Sequence, residues 1–151
     1  MNKIRKILLA EDSPEDTEMT LSALSEYRVT NEIAVVPDGA QALDYLFCRG
    51  DYSGRTAGNP LLVLLDLKMP KIDGLEVLRI VKSDPNLRTV PVVMLTSSRE
   101  EQDVVRSYQL GANAYVVKPV SFQQFVDAVR QIGAFWTLHN EPPPRTAGSS
   151  D

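Results

Sequence analysis

Five apolar residues, Leu61-Leu62-Val63-Leu64-Leu65, run without a break into Asp66, and Leu67-Lys68-Met69-Pro70 follow. A strand with one wet face alternates apolar and polar side chains, whereas a strand covered on both faces has no reason to. The run therefore predicts a central strand of a parallel sheet with helices packed on either side. It also sets Asp66 at the carboxyl end of that strand, the edge at which open α/β sheets bind ligands. Taken alone, an aspartate there is either a turn residue or part of a site.

The rest of the chain supplies the partners that such a strand requires. Ile7–Ala10, Ile33–Val36, Val92–Leu95 and Ala114–Val117 are short apolar segments of strand type. Helical patterns separate them. Ser13 precedes Pro14, Glu15 and Asp16, which is an N-cap, a first-turn proline and acids at the positive helix end, with Thr17, Leu21 and Leu24 recurring behind them. Asp38 caps a second helix whose Leu43, Leu46 and Phe47 point inward. A third opens near Asp73, carries Leu75, Leu78 and Val81, and ends before Pro85. A fourth starts at about Glu100, is expected to bury Val104, Val105 and Tyr108, and stops at Gly111. Ser121 and Gln124 form a capping-box pattern for a last helix with Phe122, Phe125, Val126, Val129 and Ile132, expected to run to about Leu138. The segment 48–60 is long for a connection in such a fold.

Five strands alternating with five helices predict a doubly wound, five-stranded parallel sheet. Residues 1–138 form one domain in this reading, and 139–151, with Glu141-Pro142-Pro143-Pro144, form a proline-rich tail. The net charge of −4 argues against nucleic acid as a partner. The single cysteine, Cys48, leaves no internal disulfide and points to the cytoplasm. The apolar run after the N-terminus is too short for a signal-peptide core or a membrane span. The lone His139, far from any ligand cluster, argues against a histidine-based triad.

Function comes from what the strand ends share. The first strand ends in Glu11-Asp12, the third in Asp66, the fourth in Thr96 and the fifth in Lys118. All carboxyl ends of a parallel sheet lie along one edge, so these groups can converge. Crowded carboxylates need compensating positive charge or a proton. Lys118 supplies one charge, and a hard divalent cation, Mg2+ in preference to calcium or zinc, would supply the rest. The group left to react is a carboxylate, which can attack a phosphoryl group to give an aspartyl-phosphate. The cation, the Lys118 ammonium and the Thr96 hydroxyl could each meet a phosphoryl oxygen. No glycine-rich phosphate loop follows the first strand, so another molecule would deliver the phosphoryl group.

These residues resemble those of the response-regulator receiver domains of two-component signalling. The resemblance rests on Glu11-Asp12, Asp66-Leu67-Lys68-Met69-Pro70 with Gly74, Thr96-Ser97, and Tyr115-Val116-Val117-Lys118-Pro119, and it covers about residues 5–135. It implies a flavodoxin-like strand order, 2-1-3-4-5. It implies Asp66 as phosphoacceptor, with Mg2+ held by Asp12, Asp66 and the backbone carbonyl of Lys68, and Glu11 assisting through water. Lys118 would bind the phosphoryl group, the Lys118-Pro119 bond would be cis, and Thr96 and Tyr115 would form a switch pair. A narrower resemblance, carried by the long loop before the third strand, the extended last helix with Phe135-Trp136 and the 140–144 tail, is to the single-domain regulators paired with bacterial and cyanobacterial phytochromes. It implies a sensor histidine kinase, a bacteriophytochrome among them, as partner; no output domain is expected after the last helix, since too few residues remain there.

Phe135, Trp136 and Leu138 lie beyond the stripe that the domain's own core can bury, so a homodimer on the last helix is expected. Two rival functions are a phosphohydrolase with an aspartate nucleophile and a receiver-like scaffold independent of phosphorylation. The first usually places an acid two residues after the nucleophile, where this chain has Lys68; the second requires a broken site, and every expected group is present.

Overall fold

The protein is described by a computed structural model over residues 6–26, 31–55, 58–97 and 101–131. The strands are β1 (Ile7–Ala10), β2 (Ile33–Val36), β3 (Leu62–Asp66), β4 (Val92–Thr96) and β5 (Ala114–Val117). The helices are α1 (Pro14–Glu26), α2 (Gly39–Leu46), α3 (Gly74–Ser83), α4 (Glu101–Gln109) and α5 (Phe122–Gln131). All four pairings are parallel and the strand order is β2-β1-β3-β4-β5, the flavodoxin-like order expected.

The apolar run behaves as its lack of alternation requires. Side chains of a strand alternate between faces. Leu62 and Leu64 therefore enter one core with Ile7, Leu9, Leu24, Val93, Leu95, Phe125 and Val129, which lies between the sheet and α1 and α5. Val63 and Leu65 enter the other, with Leu8, Leu43, Leu78 and Met94, under α2 and α3. Every residue of β3 is buried. Each large side chain so buried stabilises the fold by about 1.5–3 kcal/mol.

The caps stand where the sequence puts them. The Ser13 hydroxyl accepts from Asp16 N at 3.2 Å, Asp38 from Gln41 N at 2.8 Å, Asp73 from Glu76 N at 2.9 Å and Ser121 from Gln124 N at 3.1 Å. Gly111 follows α4 with φ +105°, a conformation that a Cβ would strain.

Two expectations need correction. Val105 and Tyr108 of α4 are exposed, 46% and 42%, and among the described side chains of that helix the fully buried one is Ser107. The helix lies over the β5 edge of the sheet against α3, so its covered stripe is narrower than the apolar pattern suggests. Phe122 is 37% exposed and only Phe125, Val126, Ala128 and Val129 form the inner face of α5. The 48–60 connection, long as expected, holds local structure among its described residues. It carries a 3-10 turn, Gly50–Tyr52, and the Arg55 guanidinium donates twice to the Tyr45 carbonyl, at 2.9 and 2.7 Å, while stacking on the Tyr45 ring. The expected extension of the last helix to Leu138 and the tail from 139 lie outside the described residues.

Candidate functional site

The register of the sheet sets which side chains can meet. Ala10 pairs with Leu65, so Glu11 and Asp66 sit one step further along adjacent strands and share the face that Leu9 and Leu64 occupy. The ladder does not stop at the strand ends. Glu11 N donates to Val36 O at 3.0 Å, Leu67 N to Leu95 O at 2.9 Å and Lys118 N to Thr96 O at 2.7 Å. Lys118 keeps the parity of Ala114 and Val116 and so projects to the same face as Glu11 and Asp66. The Lys118-Pro119 bond that follows is cis.

The result is a charged cluster at the carboxyl edge. Carboxylate oxygens of Glu11, Asp12 and Asp66 all lie within 4.8 Å of one another. Glu11 and Asp66 are buried, at 2% and 3% exposure, while Asp12 opens to solvent. The Lys118 ammonium donates to Glu11 Oε1 at 2.9 Å and Asp16 Oδ2 at 2.8 Å, and lies 3.3 Å from Asp66 Oδ1. The second Glu11 oxygen accepts from Ser13 N at 3.2 Å.

Crowding has an electrostatic consequence. Two carboxylates at such a separation repel by about 3–4 kcal/mol at an effective dielectric near 20. Burial, then the hydrogen bond and charge of Glu11, push the Asp66 carboxyl up to about 7, although Lys118 pulls the other way. Burial works against the Lys118 ammonium, yet hydrogen bonds to Asp16 and Glu11, with the charges of Asp66 and Glu11, outweigh it and raise its pKa above the ordinary lysine value. The lysine thus stays charged while the carboxylates remain short of positive charge. A donor set of hard oxygens, part buried and part solvent-facing, fits a divalent cation of the magnesium class. Among the described residues no cysteine or histidine enters the cluster.

The remaining sequence candidates fall nearby with distinct surroundings. Thr96 is buried at 1% exposure, on the β4 face shared by Val92 and Met94. Tyr115 is half-buried against that same core and pairs in register with Met94, two residues short of Thr96. The two therefore occupy one face of adjacent strands, opposite to Lys118. The Lys68 side chain is exposed, and its backbone follows Leu67 directly at the site edge. Phe135, Trp136 and Leu138 lie outside the described residues.

One participant escaped the sequence reading. Asp16 looks like a first-turn helix acid, and it is one, but it also holds Lys118. The available signal was only its place: α1 (Pro14–Glu26) leaves the same sheet edge, so the acids of its first turn start out beside the strand ends.

Comparison with known proteins accords with this geometry. The family model described as response regulator receiver domain matches residues 7–130. The bacteriophytochrome response regulator RtBRR is 59% identical, with a TM-score of 0.85 over 94% of this chain and 86% of that one. Response regulator Rcp1 of Synechocystis sp. (strain ATCC 27184 / PCC 6803 / Kazusa) is 38% identical over 135 residues, 89% of this chain and 90% of its own length. A structure of Rcp1 in its Mn2+-bound form superposes with a TM-score of 0.73, covering 88% of this chain and 94% of that one. The phosphorylated cyanobacterial phytochrome response regulator RcpA is 41% identical, with a TM-score of 0.74 over 89% of this chain and 94% of that one. A strand order, an acidic edge and a family match over most of the chain agree, and this chain belongs to the response regulator receiver domain family.

Proposed function

We propose that the protein accepts a phosphoryl group on Asp66 from a partner histidine kinase and passes the signal on by a change of surface. The observation that carries this reading is the juxtaposition of three carboxylates within 4.8 Å of one another and an ammonium 3.3 Å from one of them, at the ligand-binding edge of the sheet. Glu11, Asp12 and Asp66, with the Lys68 carbonyl, are the groups that would hold Mg2+. When bound, such an ion supplies the positive charge that the crowded carboxylates and an incoming phosphoryl group lack.

Each residue then has a definite task. An oxygen of the Asp66 carboxylate forms a bond to phosphorus as the bond from phosphorus to the donor breaks, and the donor leaves with that electron pair. Lys118 donates to a phosphoryl oxygen and keeps its protons throughout. Thr96 turns its hydroxyl toward another phosphoryl oxygen, and Tyr115, on the same face of the adjacent strand, takes up the space that Thr96 gives up. Burial of Glu11 and Asp66 keeps these interactions in a medium where they are stronger than in water.

RtBRR and RcpA carry phytochrome designations, which supports a bacteriophytochrome as the kinase partner here, and the single cysteine supports a cytoplasmic site of action. The Mn2+-bound form of Rcp1 supports the cation site, and the phosphorylated form of RcpA supports the chemistry. A homodimer through Phe135, Trp136 and Leu138, and a receiver that spans 1–138 before a tail at 139–151, complete the proposal.

Intact-mass measurement after incubation with acetyl phosphate tests the reading. Wild type gains one phosphoryl group with Mg2+ and far less in EDTA, and Asp66→Asn gains none. Full labelling of Asp66→Asn would place the acceptor elsewhere.

A further inference from the structure

Lys118 has three anionic neighbours, and they are not equivalent. Glu11 has a side chain with no exposure and Asp66 one with 4%, so water cannot take the place of the ammonium at either. Asp16 has 34% of its side chain exposed, and the ammonium reaches it at 2.8 Å, closer than the 3.3 Å to Asp66. Donation to a phosphoryl oxygen on Asp66 requires the ammonium to give up or stretch an existing contact. The contact that releases at least cost is the one whose acceptor can be rehydrated, because a buried acceptor left without a donor keeps its full desolvation penalty. That acceptor is Asp16.

We propose that Asp16 is a positioning residue: it draws the Lys118 ammonium away from Asp66 in the resting protein and competes with the phosphoryl group for it. The inference rests on the phosphoacceptor reading of Asp66. Asp16 touches neither phosphorus nor donor. It acts through Lys118, and it sets how far the lysine must move before it can neutralise a phosphoryl oxygen. It follows that the resting state is held partly by a charge pair open to solvent on its Asp16 side, whose strength falls with salt.

The step concerned is transfer from a carboxylic-phosphoric anhydride. The Asp66 oxygen bonds to phosphorus, the bridging oxygen leaves as the donor's carboxylate with the electron pair, and the Lys118 protons stay on nitrogen. Removing Asp16 frees the ammonium for the phosphoryl oxygens without altering a carboxylate of the cation-binding set.

Phosphorylation of the full chain by acetyl phosphate at saturating Mg2+, followed by intact mass over time, tests this against three variants. Asp16→Asn raises the rate about three- to tenfold, the range expected for loss of one partly exposed charge-assisted contact. Asp16→Glu, which restores a carboxylate, returns the rate to within about twofold of wild type. Glu15→Gln removes a neighbouring exposed acid that is bonded to the Ser13 hydroxyl, and it leaves the rate near wild type, which separates competition for Lys118 from a general gain in attraction for the anionic donor. Mg2+ affinity, measured by fluorescence or calorimetry on the same proteins, stays within about threefold. Equal rates for wild type and Asp16→Asn overturn the inference, as does an equal gain in Glu15→Gln. A loss of Mg2+ affinity of tenfold or more in Asp16→Asn also overturns it, by assigning Asp16 to the cation instead. A wild type that takes up no phosphoryl group removes the phosphoacceptor reading and this inference with it, an outcome distinct from labelling at unchanged rate.

Discussion

Asp66 combines two demands that pull against each other, because the burial that strengthens its contacts also raises its pKa to about 7 from an ordinary 3.8. A carboxyl with a folded pKa above its unfolded value contributes stability that is complete below the unfolded pKa and lost as pH rises through the folded one. In the metal-free protein, stability attributable to Asp66 therefore falls from about pH 4 to about pH 7 and then levels. Replacing it with asparagine removes that loss. Urea unfolding in EDTA is expected to find Asp66→Asn more stable than wild type by about 1–3 kcal/mol near pH 8, with the gap closing steadily toward pH 4. A gap that stays constant with pH would mean that Asp66 does not carry the shifted titration. At this scale the chain was legible where a residue type has one task at one place: Glu11, Asp12, Asp66 and Lys118 all stand on the edge to which their strands assigned them. Asp16 was not, because a helix-start acid satisfies local rules before any tertiary partner is considered.

The connection from β3 to α3 is shaped by elements far from it in sequence. Gly74 N donates to Leu67 O at 2.8 Å, closing the loop on itself, and Lys71 within it has φ +70°. Its outer side rests on the start of α2. The Lys71 ammonium lies 3.4 Å from the Asp38 carboxylate, and a Cβ at Gly39 would overlap the Ile72 carbonyl oxygen. Gly39→Ala must therefore displace the Ile72 backbone or the start of α2, and Ile72 belongs to the loop that also carries the Lys68 carbonyl. It is expected to cost about 1–3 kcal/mol in urea unfolding, in the range for overpacked sites, and to weaken Mg2+ binding. Gly54→Ala, at a glycine where an added Cβ meets nothing within 4 Å, should stay within about 0.5 kcal/mol and leave the affinity alone. Loss of stability in Gly39→Ala with unchanged Mg2+ affinity would show that α2 does not hold the loop in its binding form. The helix boundaries themselves were legible because caps are local chemistry, as at Asp38 and Asp73. The inward stripe of α4 was not, since Val104, Val105 and Tyr108 satisfy a helical pattern whichever part of it the neighbours cover, and only the position over β5 leaves Val105 and Tyr108 open.

The whole molecule follows from one alternation. Two cores, one on each face of a parallel sheet, require strands without a polar side, and the uninterrupted β3 run states that requirement in five residues. Assembly is where the sequence says more than the described residues do. Phe125, Val126, Ala128 and Val129 cover the sheet with one face of α5, and Arg130 and Gln131 are exposed where the description ends. The chain continues with Ile132, Phe135, Trp136 and Leu138. At about 1.5 Å per residue, a helix continued from Phe122 to Leu138 would be about 25 Å long, more than four apolar positions need to cover this sheet. Large apolar side chains beyond a satisfied stripe suit a second copy of the same surface, because a two-fold contact lets one patch serve both partners and closes the assembly. The net charge of −4 opposes such association only weakly at physiological salt. Sedimentation of wild type at tens of micromolar is therefore expected to give a dimer, and Phe135→Ala/Trp136→Ala a monomer whose urea unfolding midpoint, extrapolated to low concentration, matches wild type. A monomeric wild type, or a double variant that dimerises equally well, would place the aromatic pair elsewhere. A variant that loses dimerisation and intrinsic stability together would mean that Phe135 and Trp136 belong to the domain's own core.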